Sequence, residues 1–276
     1  MHSSSAYILV FHGSHDPRSQ RAAKQLTGYF RQAIQQAPCV AEAVGEVLDW
    51  RTPPVMANRS VVTEVALIPV QDVYLECVAQ PLPEQIQQFI EQFIEQPNAQ
   101  ADGSIITEWR VIPVFLLAGM HVMEDLPAAI AAVQSAVPLT LLPHLGSHAG
   151  LRRLLNERMS VLPMEAWVLV AHGSRRAGAN HRIETLAEHL GVVTAYWSTP
   201  PTLEQRLQEL ADSGLRRIGI LPYFLFSGGI TDAIAQTVSQ LSQQCPQLSL
   251  NLVHPLDVNL PELADLLVDL AVGTRI

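Results

Sequence analysis

Two motifs that each occur twice, in the same order, constrain the fold more than any other feature of the sequence. Residues 7–14, YILVFHGS, return as WVLVAHGS at residues 167–174. Residues 112–119, IPVFLLAG, return as LPYFLFSG at residues 221–228. A repeat of ordered motifs is the signature of a duplicated structural unit. The sequence therefore predicts two tandem halves that share one fold.

We place the halves at residues 1–150 and 151–276, which gives each the length of an ordinary domain. The first half is longer, and most of its excess forms an insertion at about residues 38–72. Because 48% of the residues are hydrophobic and only 16% are charged, the chain buries enough apolar surface to exclude disorder as its main state.

Within each half, short apolar runs alternate with longer amphipathic ones. In the second half these runs predict strands at residues 166–171, 192–197, 217–224 and 248–253, and helices at residues 180–190, 202–213, 231–243 and 260–270. Strands that are apolar throughout are typical of parallel sheets covered by helices on both faces. The predicted fold class is therefore α/β, with two tandem doubly wound parallel-sheet halves.

Ionisable side chains follow several predicted strands of the first half. His12 follows the first strand, His121 comes just after a strand at residues 112–117, and Glu76 lies near the end of a strand at residues 73–77. In α/β sheets, ligands bind beyond the carboxyl ends of the strands. Two imidazoles and a carboxylate suit a divalent transition metal with open coordination positions. We therefore expect a metal site formed by His12, Glu76 and His121.

The repeat provides an internal control for this site. His121 corresponds to Ile230 when Pro113 is aligned with Pro222. Glu76 corresponds to Tyr196 when Pro81 is aligned with Pro201, in a weaker third match between residues 81–85 and 201–205. The second half keeps His172 but loses the other two candidates, which predicts a single metal site, in the first half. The alternative interpretation is that the histidines of the two His-Gly-Ser motifs are only structural residues of a turn.

The charge balance excludes one class of partner. The formal net charge is −9, and Lys24 is the only lysine. Because nucleic-acid binding depends on neutralising phosphates with clustered cations, we expect no nucleic-acid partner. The longest apolar runs are shorter than the roughly 20 residues that cross a bilayer, and the first residues lack the features of a secretory signal. We therefore expect no membrane association and a cytoplasmic location.

Signatures of common cofactors are also missing. The sequence contains neither GxxxxGK[ST] nor GxGxxG, so no ATP or dinucleotide site is predicted. Cys39, Cys77 and Cys245 lack the spacing of a zinc or iron–sulfur site, and we expect no iron–sulfur cluster. We interpret the three cysteines as small core residues in a reducing compartment.

Taken in order, the motifs resemble those of the sirohydrochlorin chelatases of the CbiX/SirB type, which are class II tetrapyrrole chelatases. The segments that carry the resemblance are residues 9–18, 74–76, 113–125, 171–174 and 222–232. The resemblance implies a two-lobed chelatase fold in its long form, with a cleft between the halves that admits a flat macrocycle. It implies that a divalent metal, Fe2+ or Co2+, is inserted into sirohydrochlorin in siroheme or cobalamin biosynthesis without ATP.

By the same matching, His12 and His121 fall on the family's active-site histidines and Glu76 falls on its acidic partner. These residues are then expected both to bind the metal substrate and to accept protons. Gly13, Ser14 and Ser174 are expected to contact the tetrapyrrole partner, whose carboxylates call for local arginines or backbone amides. The chain is expected to be a monomer or a weak homodimer. A carrier of metal or tetrapyrrole that performs no catalysis is the alternative function.

Overall fold

The fold consists of two four-stranded parallel sheets with helices around them. The structure, a computed structural model, describes residues 3–37, 68–94, 105–176 and 178–273. The strands of the first sheet are β1 (Ser3–Phe11), β2 (Val70–Tyr74), β3 (Ile105–Pro113) and β4 (Leu139–Leu141), in the spatial order β2-β1-β3-β4. The strands of the second sheet are β5 (Ala166–Ala171), β6 (Val193–Tyr196), β7 (Arg217–Pro222) and β8 (Ser249–Leu252), in the equivalent order β6-β5-β7-β8. The predicted α/β class with two parallel-sheet halves is confirmed.

Eight α-helices are present in the described ranges. They are α1 (Pro17–Gln35), α2 (Leu82–Ile94), α3 (Leu126–Ala131), α4 (Ala149–Ser160), α5 (His181–Leu190), α6 (Leu203–Asp212), α7 (Gly229–Gln244) and α8 (Leu260–Val272). The helices and strands predicted for the second half agree with these bounds to within about two residues. No helix among the described residues is both long enough and apolar enough to cross a membrane.

Three apolar cores hold these layers together. Trp109 and Ile8 belong to a core on one face of the first sheet, and Val168 and Ile220 belong to the corresponding core of the second sheet. The third and largest core contains buried side chains from both halves, among them Phe11, Phe30, Leu155, Leu169 and Leu267. Because burial of apolar surface is the main favourable contribution to folding, this shared core joins the two halves firmly.

The last helix of the second half packs on the first half. One face of α8 is buried and apolar, and α8 lies against α1 and β3. In turn α4, which begins at the predicted division between residues 150 and 151, packs against α5 and α8. Helical periodicity shows which face of a helix is buried but not which half covers it. The packing of α8 on the first half was therefore not predicted from the sequence. The division at residue 150 stays a prediction.

The start of β2 differs from the sequence analysis. The strand was predicted at residues 73–77 after an insertion at 38–72, but it begins at Val70 and ends at Tyr74, and its partner in β1 at that end is Phe11. The apolar pattern did not indicate the first residues of β2, because Gln71 and Asp72 are polar. An edge strand tolerates polar side chains that a central parallel strand does not. Residues 38–67 of the predicted insertion lie outside the described residues.

Candidate metal centre and ligand cavity

Three potential metal ligands meet at the carboxyl edge of the first sheet. The Nε2 atom of His12 lies 3.9 Å from Oε2 of Glu76, and Nε2 of His121 lies 3.9 Å from Oε1 of the same carboxylate. One donor atom from each residue lies within 4.8 Å of the other two. Atoms bound to one ion at about 2.1 Å are about 3–4 Å apart, so a small movement of the side chains lets this set hold one divalent ion and leave further coordination positions open. The structure thus brings together the three residues that the sequence pointed to.

The backbone fixes the positions of His12 and Glu76. His12 comes directly after β1, and Glu76 comes two residues after the end of β2. The Glu76 N–H donates to the carbonyl of His12 at 2.8 Å. The Nδ1 atom of His12 lies 3.2 Å from the Gly13 carbonyl. Because a carbonyl oxygen only accepts hydrogen bonds, that contact places the proton of the neutral ring on Nδ1 and leaves the Nε2 lone pair for a metal.

Gly13 makes this close approach possible. Its φ angle is +96°, in the left-handed region that favours glycine. A Cβ atom at this position would lie 2.0 Å from the Glu76 carbonyl oxygen. The chain then continues into α1, whose first residue is Pro17 and whose N-cap is Asp16. The glycine of the His-Gly-Ser motif is therefore a requirement of the site's backbone.

His121 is oriented by a residue that the sequence analysis missed. It begins a π-helical turn, His121–Asp125, and its Nδ1 atom lies 2.7 Å from Oδ2 of Asp125. A carboxylate that accepts this hydrogen bond fixes the ring and makes the other nitrogen a better metal ligand. The signal in the sequence was the spacing of a histidine and a carboxylate four residues apart at the start of a helix.

We expect Asp125→Ala to weaken Co2+ binding by about 10- to 100-fold, the usual effect of losing such an outer partner. Asp125→Asn, which keeps an acceptor oxygen but not the charge, should fall between this variant and the wild type. The measurement is a Co2+ titration followed by visible absorption. Glu124→Gln is the control, because Glu124 is an exposed carboxylate on the same turn. Equal affinities for Asp125→Ala and the wild type would show that Asp125 does not support the site.

An apolar cavity of about 430 Å³ lies between the two halves and reaches His12. Its aromatic wall includes Phe11, whose ring stacks on Tyr74 at a centroid distance of 5.8 Å and lies 6.1 Å from Phe226 of the second half. Phe115 also lines the cavity, 6.4 Å from the His12 ring. Concave, mostly apolar sites with a few polar groups are typical of small-molecule binding.

Of the three residues predicted to contact the macrocycle, two line the cavity and one does not. Gly13 and Ser14 line the cavity, but Ser174 does not. The Ser174 hydroxyl accepts from the Arg176 N–H at 3.2 Å, within the turn that precedes α5. His172, which the sequence analysis left without a role, lines the cavity from the second half.

The backbone register corrects one equivalence between the halves. The Ser198 N–H donates to the His172 carbonyl, just as the Glu76 N–H donates to the His12 carbonyl. Ser198 is therefore the counterpart of Glu76, and the alignment that placed Tyr196 there was wrong. The error arose because the segment between strand and helix is longer in the first half. A serine is not a carboxylate, so the second half still lacks this ligand.

Arg18, which precedes the cavity-lining Ser19, joins the two halves. Arg18 donates to both carboxylate oxygens of Asp232, at 2.9 and 2.6 Å, and to Asp16 at 2.7 Å. Hydrogen bonds from Arg18 lower the pKa of Asp16 to about 2 and also lower the pKa of Asp232. No arginine or lysine of the described residues lines the cavity. The expectation that local arginines would meet substrate carboxylates is therefore not met in the described part of the lining.

The loop that follows Glu76 corrects a further expectation. Cys77 is exposed and has a φ angle of +60°, which is uncommon for a residue other than glycine. It is exposed because the chain leaves the sheet after β2, so it is not the core residue that we predicted. Cys245 is only half-buried, and Cys39 lies outside the described residues.

The fold and the site define a two-lobed α/β protein of the chelatase class, with a candidate metal centre at the edge of an apolar cavity between the lobes. The family model for CbiX matches residues 55–162 and 166–272, and the chain belongs to this family. Glu76, His121 and His172 lie within the matched segments, whereas His12 precedes the first one.

Solved structures show the same fold at low identity. SirB from Bacillus subtilis with Fe3+ is 20% identical, with 98% of this chain and 95% of that chain covered and a TM-score of 0.68. The sirohydrochlorin chelatase SirB from Bacillus subtilis subspecies spizizenii, in complex with cobalt, is 18% identical over 98% and 95% of the two chains, with a TM-score of 0.63. CbiX, described as the terminal enzyme for biosynthesis of siroheme in denitrifying bacteria, is 15% identical over 99% and 100%, with a TM-score of 0.56. No curated protein matches the sequence significantly.

Proposed function

We propose that this protein is a sirohydrochlorin chelatase, which inserts Fe2+ or Co2+ into sirohydrochlorin in siroheme or cobalamin biosynthesis without ATP. The observation that carries the proposal is the position of His12, which belongs both to the three-ligand centre and to the wall of the apolar cavity. An ion bound by His12, Glu76 and His121 would therefore lie beside any ligand in the cavity. Membership of the CbiX family supports the same chemistry.

The metal centre suits a metal that is a substrate and must leave again. The side chains of His12 and Glu76 are each 52% exposed and that of His121 is 35% exposed, so an ion can reach the centre from solvent. Three protein donors leave coordination positions that the pyrrole nitrogens of a macrocycle can occupy. Transfer is then a stepwise exchange of protein donors for pyrrole nitrogens.

The cavity suits the flat, apolar part of a tetrapyrrole. Phe115 and Phe226, which are half-buried and line the cavity, offer aromatic surface against which a conjugated ring system can pack. Since no cation of the described residues lines the cavity, the carboxylates of the macrocycle are placed toward solvent, where water satisfies them. Both walls come from one chain, so the proposal does not require a second subunit. A monomer or weak homodimer in the cytoplasm remains our prediction.

The reaction balances when two protons leave. The macrocycle loses two pyrrole N–H protons as it gains one divalent ion, and each freed electron pair forms a nitrogen–metal bond. Neutral imidazoles and a carboxylate are suitable proton acceptors near neutral pH. His12 belongs to the metal centre and lines the cavity, so we assign metal delivery to this centre and proton acceptance to the imidazole and carboxylate groups that a bound macrocycle can reach.

An anaerobic absorbance assay with sirohydrochlorin and either Fe2+ or Co2+ tests the proposal. We expect the protein to accelerate the spectral change of metallation above the rate in buffer, with no effect of added ATP. Running the two metals in competition shows which one is preferred. If the protein binds sirohydrochlorin but metallates it no faster than buffer does, the protein is a carrier and the proposal is wrong.

A further inference from the structure

The cavity has a histidine from each half in its wall. His12 follows β1 and His172 follows β5, and these strands occupy equivalent places in their sheets. The Nδ1 atom of His172 lies 2.9 Å from the Gly173 carbonyl, which matches the contact between His12 and Gly13. In the neutral ring the proton is then on Nδ1, and the basic lone pair is on Nε2. His172 is thus an exposed imidazole in the wall of the cavity that can accept a proton.

The surroundings of His172 do not make a metal centre. Its neighbours in the repeat are Ser198 in place of Glu76 and Ile230 in place of His121, and Ile230 itself lines the cavity. The Ser198 hydroxyl donates to the Gly173 carbonyl at 3.1 Å. Among the described residues, the only group of three clustered metal ligands is the one in the first half. A single imidazole with apolar neighbours competes poorly for an ion but remains a base.

A role confined to the turn does not explain His172. The turn itself is made by Gly173, which has a φ angle of +78° and packs against Tyr196 and Thr199. The imidazole adds only a contact to the adjacent carbonyl. Its ring is exposed in the wall of the cavity, so the fold leaves its Nε2 atom available to a ligand.

We infer that His172 accepts the pyrrole N–H protons of the macrocycle from the face opposite to the entering metal; this rests on the proposed function. A flat ligand between the two walls presents one face to the first half, which holds the metal, and the other face to the second half. An imidazole on the metal side would become a cation within a few ångströms of a divalent ion and would be repelled by it, and the Glu76 carboxylate is itself a candidate ligand of that ion. His172, in the wall of the second half, avoids this repulsion.

The step is a proton transfer with no other reactant. A pyrrole N–H bond breaks, its electron pair stays on the nitrogen and forms the bond to the metal, and the proton moves to Nε2 of His172. The imidazolium then loses that proton to water at the open side of the cavity. The same route serves the second pyrrole proton, so two protons are released for each ion inserted.

His172→Ala tests this assignment. We expect kcat to fall by about 10²-fold or more, the usual contribution of a general base, with the Kd for Co2+ and the Kd for sirohydrochlorin within about threefold of the wild type. Added imidazole should restore part of the rate, since it can enter the vacated space. His172→Asn is the second variant, because its amide can still donate to the Gly173 carbonyl but cannot accept the proton, and it keeps the turn if alanine perturbs folding. His189→Ala, an exposed histidine on α5, is the control.

Two results would overturn the assignment. One is an unchanged kcat in both His172 variants. The other is a loss of rate that follows a weaker Kd for sirohydrochlorin and that imidazole does not rescue, because His172 would then be a binding residue. Both results differ from failure of the proposed function, in which the wild-type protein itself would not metallate sirohydrochlorin.

Discussion

Replacing His12 and His121 together with alanine is expected to abolish metal insertion and to remove the high-affinity Co2+ site. The two substitutions take away two of the three donors that lie within 4.8 Å of one another and leave Glu76 as an exposed carboxylate. The loss should exceed the about 10- to 100-fold that follows removal of an outer-shell partner such as Asp125. The measurements are the initial rate of metallation at saturating sirohydrochlorin and the Kd for Co2+.

The control for this variant is a pair of histidines elsewhere in the chain. His181 and His189 are exposed residues of α5 in the second half, and their joint replacement by alanine removes the same number of imidazoles. We expect this control to bind Co2+ and to metallate sirohydrochlorin at the rate of the wild type. If the His12 and His121 double variant kept full activity, our assignment of the metal centre would be wrong.

Gly13→Ala is expected to damage both the fold and the metal centre, although it changes no functional side chain. A left-handed φ angle costs a residue other than glycine about 1–3 kcal/mol, and at Gly13 the new Cβ would also overlap the Glu76 carbonyl oxygen at 2.0 Å. Relief of that overlap must move the backbone that holds His12 and Glu76. We therefore expect lower stability in urea unfolding and at least about a 10-fold weaker Kd for Co2+, as when an outer partner of a metal ligand is lost.

Gly28→Ala is the matched control for Gly13→Ala. Gly28 lies inside α1, and a Cβ there would meet no atom within 4 Å. Alanine is favoured over glycine inside a helix by about 1 kcal/mol, so this variant should be at least as stable as the wild type and should bind Co2+ normally. A Gly13→Ala protein that is as stable and binds Co2+ as tightly as Gly28→Ala would contradict the role that we assign to Gly13.

Sequence reasoning reached most of the fold because the chain repeats itself. Two copies of the strand motif that ends in His-Gly-Ser anchor the two sheets, and apolar runs bounded by turns locate the strands of the second half. The edge strand β2 was placed about three residues too late, since its polar residues Gln71 and Asp72 interrupt the apolar run. The packing of α8 on the first half could not be predicted from the sequence, because helical periodicity does not identify which element covers a buried face.

The three candidate metal ligands were predictable from the sequence, whereas the contacts that hold the site in place were not predicted. His12 and Glu76 come just after strands whose carboxyl ends share one edge of a sheet, so topology brings them close. The strand predicted at residues 112–117 ends at Pro113 instead, so a loop of seven residues separates it from His121. The pairing of Arg18 with Asp232 joins residues 214 positions apart, and no local pattern predicts such a contact. The contact between His121 and Asp125 is local, and the spacing of four residues would have indicated it. The cavity whose wall contains both His12 and His172 required the three-dimensional structure.

The most direct test of this account is anomalous X-ray diffraction from crystals of the wild-type protein soaked in Co2+. We expect one strong cobalt peak per chain, at about 2.0–2.2 Å from Nε2 of His12, Nε2 of His121 and a carboxylate oxygen of Glu76. We expect no comparable peak beside His172. A cobalt peak at another place in the chain, with none between these three side chains, would contradict the claim that the first half holds the protein's single metal centre.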